Sequence, residues 1–192
     1  MNYRQELYRK FIHIAWAIIP LLYYYYLDKR TMIWILGIGT AVVFLGELLR
    51  MWVPIIGRLF DLIFGKIIRE SEDTSFTGAT YTLLGSFLTV LIFEKEIAIA
   101  SLLILVLADS SAALLGRKWG KTPLLGKSVE GTITFFIVAT VIVLVFPGLS
   151  RIPAFLGAVV ATAVELFPSP VNDNLMIPLA AAVTMSLGHL IA

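Results

Sequence analysis

Apolar residues run along this chain in long blocks separated by short polar joints. Seven blocks stand out, at about 11–27, 32–49, 76–93, 97–115, 129–147, 153–168 and 174–191. Most fall at the short end of the roughly 20 residues that cross a bilayer as a helix. The pattern predicts about seven transmembrane helices that extend into the headgroups or thin the bilayer around them. One joint differs from the rest. Within 50–75, the run VPIIGRLFDLIFGKIIRESED sets Ile55, Leu59, Leu62, Ile63 and Ile67 at helical spacing against Arg58, Lys66 and Arg69. That spacing predicts an amphipathic helix lying in the membrane interface. No internal repeat or low-complexity tract interrupts the series.

Composition fixes the class. Of 192 residues, 59% are hydrophobic and 15% charged, with a mean hydropathy of +0.91; soluble domains are roughly 45–50% apolar and about 25% charged. The expectation is an all-α polytopic integral membrane protein, one transmembrane domain over 1–192, with no separate soluble domain and no nucleic-acid partner. The absence of cysteine excludes disulfides and thiolate metal sites. The start, MNYRQELYRKFIHIAW, has no small-residue cleavage site and reads as a first helix rather than a signal peptide.

Charge supplies the orientation. With seven alternating spans, the side holding the N-terminus collects eleven of the 15 Lys and Arg residues, among them Arg4, Arg9, Lys10, Arg50, Arg58, Lys66, Arg69, Arg117, Lys118, Lys121 and Lys127. The other side holds Lys29, Arg30, Lys95 and Arg151. The positive-inside rule therefore predicts a cytoplasmic N-terminus. The same alternation gathers His13, Glu47, Thr77, Tyr81, Asp109, Glu130, Glu165 and Asn172-Asp173-Asn174 at that face, as an active site at the cytosolic surface of a membrane requires. Small size and the lack of targeting features point to a prokaryotic plasma membrane.

The stretch LADSSAALLGRKWGKTPLLGKSVEG, beginning at Leu107, concentrates the candidate chemistry. Asp109 stands in an apolar run, where an acid costs roughly 2.5–3.5 kcal/mol on insertion scales and is a functional candidate by default. It lies seven residues before Gly116, roughly 10 Å along a helix, below the basic loop. A carboxylate there can hold Mg²⁺, which takes one or two carboxylates together with substrate phosphates; the plainer reading is a buried acid paired with a cation. Arg117, Lys118, Lys121 and Lys127 suit a polyphosphate or, equally, anchor to anionic headgroups. The loop is not a P-loop, because five residues separate Gly120 from Gly126. Gly126-Lys127-Ser128 nevertheless leads into a helix whose N-terminal amides are expected to be free for a phosphate. Glu130 follows in the first turn, where it serves either chemistry or the helix dipole. Asn172, Asp173 and Asn174 form either a tight turn with an N-cap or a second group of ligands facing Asp109. Glu47 and Arg50, three apart, pair on one helix face. Arg9, Lys10 and His13 enter the first helix together; by base rate His13 is structural, as is His189.

Taken in order, RKFIH, ELLR, TGATY, ADSSAALLGRKWGKTPLLGKSVEGT and ELFPSPVNDNLMIPL resemble the polyprenol kinase family, which includes dolichol kinase, phytol kinase and CTP-dependent diacylglycerol kinase. The resemblance spans almost the whole chain. It implies transfer of a phosphoryl group from CTP, with Mg²⁺ or another divalent cation, to the hydroxyl of a membrane lipid alcohol. On that reading Asp109 and Asp173 hold Mg²⁺. Lys127, the amides near Ser128, and Arg117 with Lys118 bind phosphates, as do Lys121, Gly126, Asn172, Asn174, Arg9, Lys10 and His13. Glu130 or Glu47 is the base or the orienting group for the alcohol. The central motif is also similar to that of phosphatidate cytidylyltransferases, although Glu165-Leu-Phe-Pro and Asn172-Asp-Asn-Leu replace their closing signature. A cytidylyltransferase is thus the nearest rival. A small cation-coupled transporter is the rival from another class, and it predicts polar residues strung through the bilayer rather than gathered at one face.

Overall fold

The computed structural model of the chain describes residues 3–65, 68, 72 and 74–191, with side chains described between Glu6 and Gly188. Lys66, Ile67 and Arg69 of the expected interfacial helix, and the side chains of Arg4 and His189, lie outside that set. The described residues are almost wholly helical: α1 (Tyr3–Ala15), α2 (Ile18–Tyr25), α3 (Lys29–Trp52), α4 (Pro54–Phe64), α5 (Gly78–Ile92), α6 (Lys95–Leu103), α7 (Asp109–Trp119), α8 (Val129–Val145), α9 (Arg151–Leu166) and α10 (Asp173–Ile191). A two-stranded hairpin, β1 (Pro123–Leu124) with β2 (Lys127–Ser128), sits in the central loop.

Local chemistry sets the helix ends. Asp28 caps α3 by accepting from the Thr31 amide at 2.8 Å, and α4 opens on Pro54. The first apolar block, expected as one span over 11–27, is instead split between α1 and α2. Pro20 has no N–H to give to the Trp16 carbonyl, which accepts from Ile19 at 3.0 Å. Among the described residues, two helices are long and apolar enough to cross a bilayer. One is α3, 24 residues with mean hydropathy 2.1 and 17% of its apolar window buried. The other is the continuous helix from Lys95 to Trp119, 25 residues with mean hydropathy 2.2 and 67% buried. Both exceed the ~30 Å hydrocarbon core at 1.5 Å per residue. α5 and α8 are apolar but shorter.

Burial separates the inside of the bundle from its rim. The Lys95–Trp119 helix is the central post, and α5, α8 and α10 pack around it. One cluster of buried residues joins Ile104, Leu105, Ala108 and Ala112 to Phe135, Ala139, Ala158, Ala161, Ile177 and Ala181. Its many alanines let helix backbones approach closely, the usual means of association when lipid competes for apolar surface. A second cluster joins Tyr23, Met32 and Leu36 to Leu83, Val90, Ile99 and Leu102. Outside, Trp34, Ile38, Val42, Leu45 and Leu49 form an exposed stripe along α3, and Ile133, Ile137, Val141 and Leu144 form another on α8. Apolar stripes of this length suit lipid rather than water. α4 likewise exposes Ile55, Leu59, Leu62 and Ile63.

Two features place the site. Between α6 and α7 the post widens into a π-helical turn, Ile104–Ala108, immediately before Asp109. Such a turn fits an extra residue into the helix and re-aims the side chains beyond it; it is frequent at functional sites. At the other side, Gly85 of α5 faces the start of α10, where a Cβ would come within 2.6 Å of the Asn174 carbonyl oxygen. Pro178, four residues on, cannot donate to that carbonyl. Gly85→Ala is therefore expected to push the Asp173 end of α10 away from α5 and cost about 1–3 kcal/mol. The check is a lower melting temperature in detergent; an unchanged melt would mean that the contact yields freely.

Candidate functional site

A cleft of about 560 Å³ opens where the start of α1, the length of α7, the hairpin, the start of α8 and the ends of α9 and α10 meet. Its volume lies within the roughly 300–1,000 Å³ typical of small-molecule sites. Asp109, Lys127, Asp173, Arg9, Lys10, Arg117, Lys121, Gly126 and Ser128, drawn from four separate parts of the sequence, all line it. The small residues Ala112, Ala113, Gly116 and Gly131 keep the floor low.

Four of the cleft's cations, Arg9, Lys10, Arg117 and Lys127, are held by acids. Lys10, buried in α1, hydrogen-bonds Oδ2 of Asp109, and His13 Nε2 lies 3.7 Å from the same oxygen. His13 also lies 3.4 Å from the carbonyl of Leu105, inside the π-helical turn. One turn earlier, buried Glu6 accepts from Arg9 at 2.6 Å and faces Arg117 at 3.7 Å. Burial disfavours the Glu6 charge, but Arg9, Arg117 and Lys10 outweigh it and hold the carboxyl below its usual range. At the far wall Lys127 donates to Oε1 of Glu165 at 2.8 Å, to the Glu165 carbonyl, and to Oδ2 of Asp173 at 3.2 Å. Burial opposes the charge of Lys127, and the two carboxylates overcome it, so its pKa is raised.

The hairpin explains how Lys127 reaches Glu165. Leu125 and Gly126, the two residues between the strands, both have positive φ, 48° and 83°. This is the tight-turn geometry that suits the twist of a two-residue hairpin. It pairs Leu124 with Lys127 and Pro123 with Ser128. Gly116 and Gly131 then let α7 and α8 close on the hairpin; a Cβ on Gly116 would come within 2.9 Å of Ser128 Oγ and 3.2 Å of the Gly131 Cα.

Several expected site residues lie elsewhere. The amides beyond Ser128 are not free for a phosphate: Val129 N–H donates to the Thr122 carbonyl at 2.9 Å, and Gly131 N–H to Ser128 Oγ at 3.1 Å. Glu130 lies outside the cleft lining and accepts from the Thr122 amide and hydroxyl at 3.3 Å. Glu47 is buried apart from the lining and is saturated by donors: Thr77 amide and hydroxyl, Thr80 hydroxyl, and Arg50. Arg50 also donates to the Glu72 and Ser75 carbonyls and lies over the Phe60 ring of α4. Glu47 thus ties α3, α4 and the start of α5 together. Lys118 lies over the Trp119 ring, outside the lining. Asn172 accepts from the Asn174 amide at 3.0 Å, and Asn174 donates to the Gly78 carbonyl at 3.0 Å; both set the start of α10 rather than line the cleft. Glu6 and Glu165, by contrast, are cleft residues whose only sequence signal was an acid at an apolar helix's end.

Among the described residues no group of three or more His, Cys, Asp or Glu side chains converges on one metal position. The donor set still fits Mg²⁺. Asp109 and Asp173 both line the cleft and each engages its lysine through Oδ2, and Mg²⁺ needs only one or two carboxylates beside phosphates.

The Glu6 cluster makes a pH prediction. A carboxyl whose folded pKa is depressed contributes stability above its unfolded value, about 4.3, and loses it as pH falls through the folded one. The melting temperature of the wild type should fall as pH drops below about 4, and Glu6→Gln should flatten that decline while lowering the plateau. Parallel curves would remove Glu6 from the account.

Two comparisons return nothing: no protein-family model matches the chain, and no solved structure matches it. Curated proteins do. An uncharacterised protein of Rickettsia prowazekii is 33% identical over 189 residues, covering 93% of this chain and 92% of its own length. The CTP-dependent diacylglycerol kinase 1 of Schizosaccharomyces pombe is 31% identical over 175 residues, 80% of this chain and 79% of that protein. The protein of the same name from Saccharomyces cerevisiae is 30% identical over 149 residues, which is 76% of this chain and 51% of that protein.

Proposed function

Because the chain belongs to the family of the CTP-dependent diacylglycerol kinases, we propose that its cleft transfers the γ-phosphoryl group of CTP to the hydroxyl of a membrane lipid alcohol. Diacylglycerol is the first candidate acceptor, since the curated relatives carry it in their names; prenols are the next. The active site faces the cytosol, on the side where most of the Lys and Arg residues collect. The seven apolar blocks then form the membrane domain, the shorter ones with the help of local thinning.

The single observation that carries this reading is the alternation of acids and cations around one cleft at the Asp109 end of the central helix. Phosphoryl transfer asks chiefly for positioning and charge neutralisation. Arg9, Arg117, Lys10, Lys121 and Lys127 supply the positive side. Acidic partners hold Arg9, Arg117, Lys10 and Lys127 in place before the triphosphate arrives, so little ordering entropy is spent on binding. Asp109 and Asp173 would hold Mg²⁺, which supplies charge neutralisation on the β- and γ-phosphates. Lys127 sits between Asp173 and Glu165, suited to offset the charge of the transferred group. The lining is polar and built of small residues, so the lipid's tail stays in the bilayer and only its hydroxyl end enters.

The test is purified protein in detergent with Mg²⁺ and γ-labelled CTP, offered diacylglycerol, farnesol, geranylgeraniol, phytol and a polyprenol in turn. Label extracted into the organic phase identifies the acceptor class. Silence with every alcohol would overturn the proposal.

A further inference from the structure

Among the carboxylates that line the cleft, Glu165 keeps one buried oxygen without a hydrogen bond and pairs with its cation through the other. It closes α9, only 6% of its surface is exposed, and it lines the cleft with Asp109, Lys127 and Asp173. Its Oε1 accepts from Lys127 at 2.8 Å. Its Oε2 is sealed from solvent and meets no hydrogen-bond donor. A buried acceptor left without a donor is unfavourable, and that penalty is relieved when a donor enters the cleft.

The other carboxylates are placed differently. Asp109 is engaged by Lys10 and faced by His13, and Asp173 is half-exposed beside Lys127. Glu6 also has a sheltered Oε2 without a hydrogen bond, but that oxygen faces the Arg117 guanidinium at 3.7 Å. Glu47 and Glu130 lie outside the cleft lining and are occupied by threonine donors. A neutral hydroxyl is the donor that suits Oε2, since it brings an O–H without a second cation to desolvate.

We propose that Glu165 is the catalytic base that receives the proton of the acceptor hydroxyl, an inference that rests on the kinase reading above. As the proton passes to Oε2, the lone pair it leaves on the hydroxyl oxygen forms the new bond to the γ-phosphorus. The bond from that phosphorus to the oxygen bridging the β-phosphate breaks, and its electron pair leaves with CDP. The proton is then surrendered to water. Lys127, fixed on Oε1, keeps the carboxylate oriented and stands beside the group in flight.

Glu165→Gln keeps the shape and an acceptor oxygen for Lys127 but cannot take the proton. The kcat for diacylglycerol should fall about 10²–10³-fold, with the KM for CTP within about twofold. A second acceptor separates chemistry from packing. With a diacylglycerol analogue carrying fluorine on the carbon next to the hydroxyl, the O–H is more acidic and depends less on a base. The deficit of E165Q relative to wild type should shrink about tenfold on that acceptor. An equal deficit on both acceptors would make Glu165 structural and overturn the inference, as would an unchanged kcat in E165Q. If E165Q does not melt like the wild type, Glu165→Asp is read instead. It keeps the charge and the Lys127 pairing but withdraws the base, and it too should lose kcat and not CTP affinity; retained kcat would overturn the inference. Failure of the wild-type protein to transfer γ-label to diacylglycerol defeats the kinase reading on that acceptor, and this inference with it.

Discussion

Asp109→Asn should abolish nearly all phosphoryl transfer, lowering kcat/KM by about 10³-fold, the upper range for removing one preorganised electrostatic group. The same change should destabilise the fold. Lys10 is buried and hydrogen-bonded to Asp109, and breaking a buried pair from one side costs about 3–5 kcal/mol because the remaining charge is left uncompensated. The two effects can be separated. Replacing both partners by apolar residues, Lys10→Met with Asp109→Leu, should restore most of the melting temperature, since a well-packed apolar pair is often neutral or better. Activity should stay lost. Recovery of activity in the double variant would show that Asp109 serves packing alone.

Lys127→Met is the second large effect. It removes the donor shared by Glu165 and Asp173 and leaves two neighbouring carboxylates without the cation between them. Transfer should drop about 10²–10³-fold, and the melting temperature should fall as well. The pH dependence has a definite sign. Lys127 has a raised pKa in the folded protein, so its stabilising contribution is complete below the unfolded value of about 10.4 and is lost only as pH rises through the folded one. The gap in melting temperature between wild type and Lys127→Met should therefore stay constant from about pH 6 to 9 and narrow only above about 10.5. Circular dichroism melts in detergent across that range check it. A gap that closes near neutrality would assign the effect to another group.

The sequence announced the site's charged residues because charge is conspicuous in an apolar chain. Asp109 in a hydrophobic run, the RKxxH entry to α1 and the lysines flanking Gly126 all point to one face, and the fold does bring Asp109, Lys10, Arg117, Lys127 and Asp173 to one cleft. What stayed hidden depends on partners far along the chain. Glu47 reads in the sequence as a partner of Arg50 or a base, yet Thr77 and Thr80, some thirty residues on, saturate it. Glu165 looked like a helix end until Lys127, 38 residues earlier, was placed against it. The π-helical turn before Asp109 leaves no mark in hydropathy, because its residues are as apolar as those around them. The split of the first block comes with Pro20 and the start of α8 with its Ser128 cap; both decide where hydrogen bonding stops, whereas hydropathy reports only which side chains avoid water.

The central claim is that the cleft moves the terminal phosphoryl group of CTP to a lipid hydroxyl. The most direct measurement runs two parallel reactions of the purified protein with Mg²⁺ and diacylglycerol, one with CTP labelled at the γ-phosphate and one with CTP labelled at the α-phosphate. The account predicts γ-label in the lipid phase and α-label retained in water as CDP. Label from the α-phosphate in the lipid phase, with pyrophosphate released, would contradict it and make the protein a cytidylyltransferase.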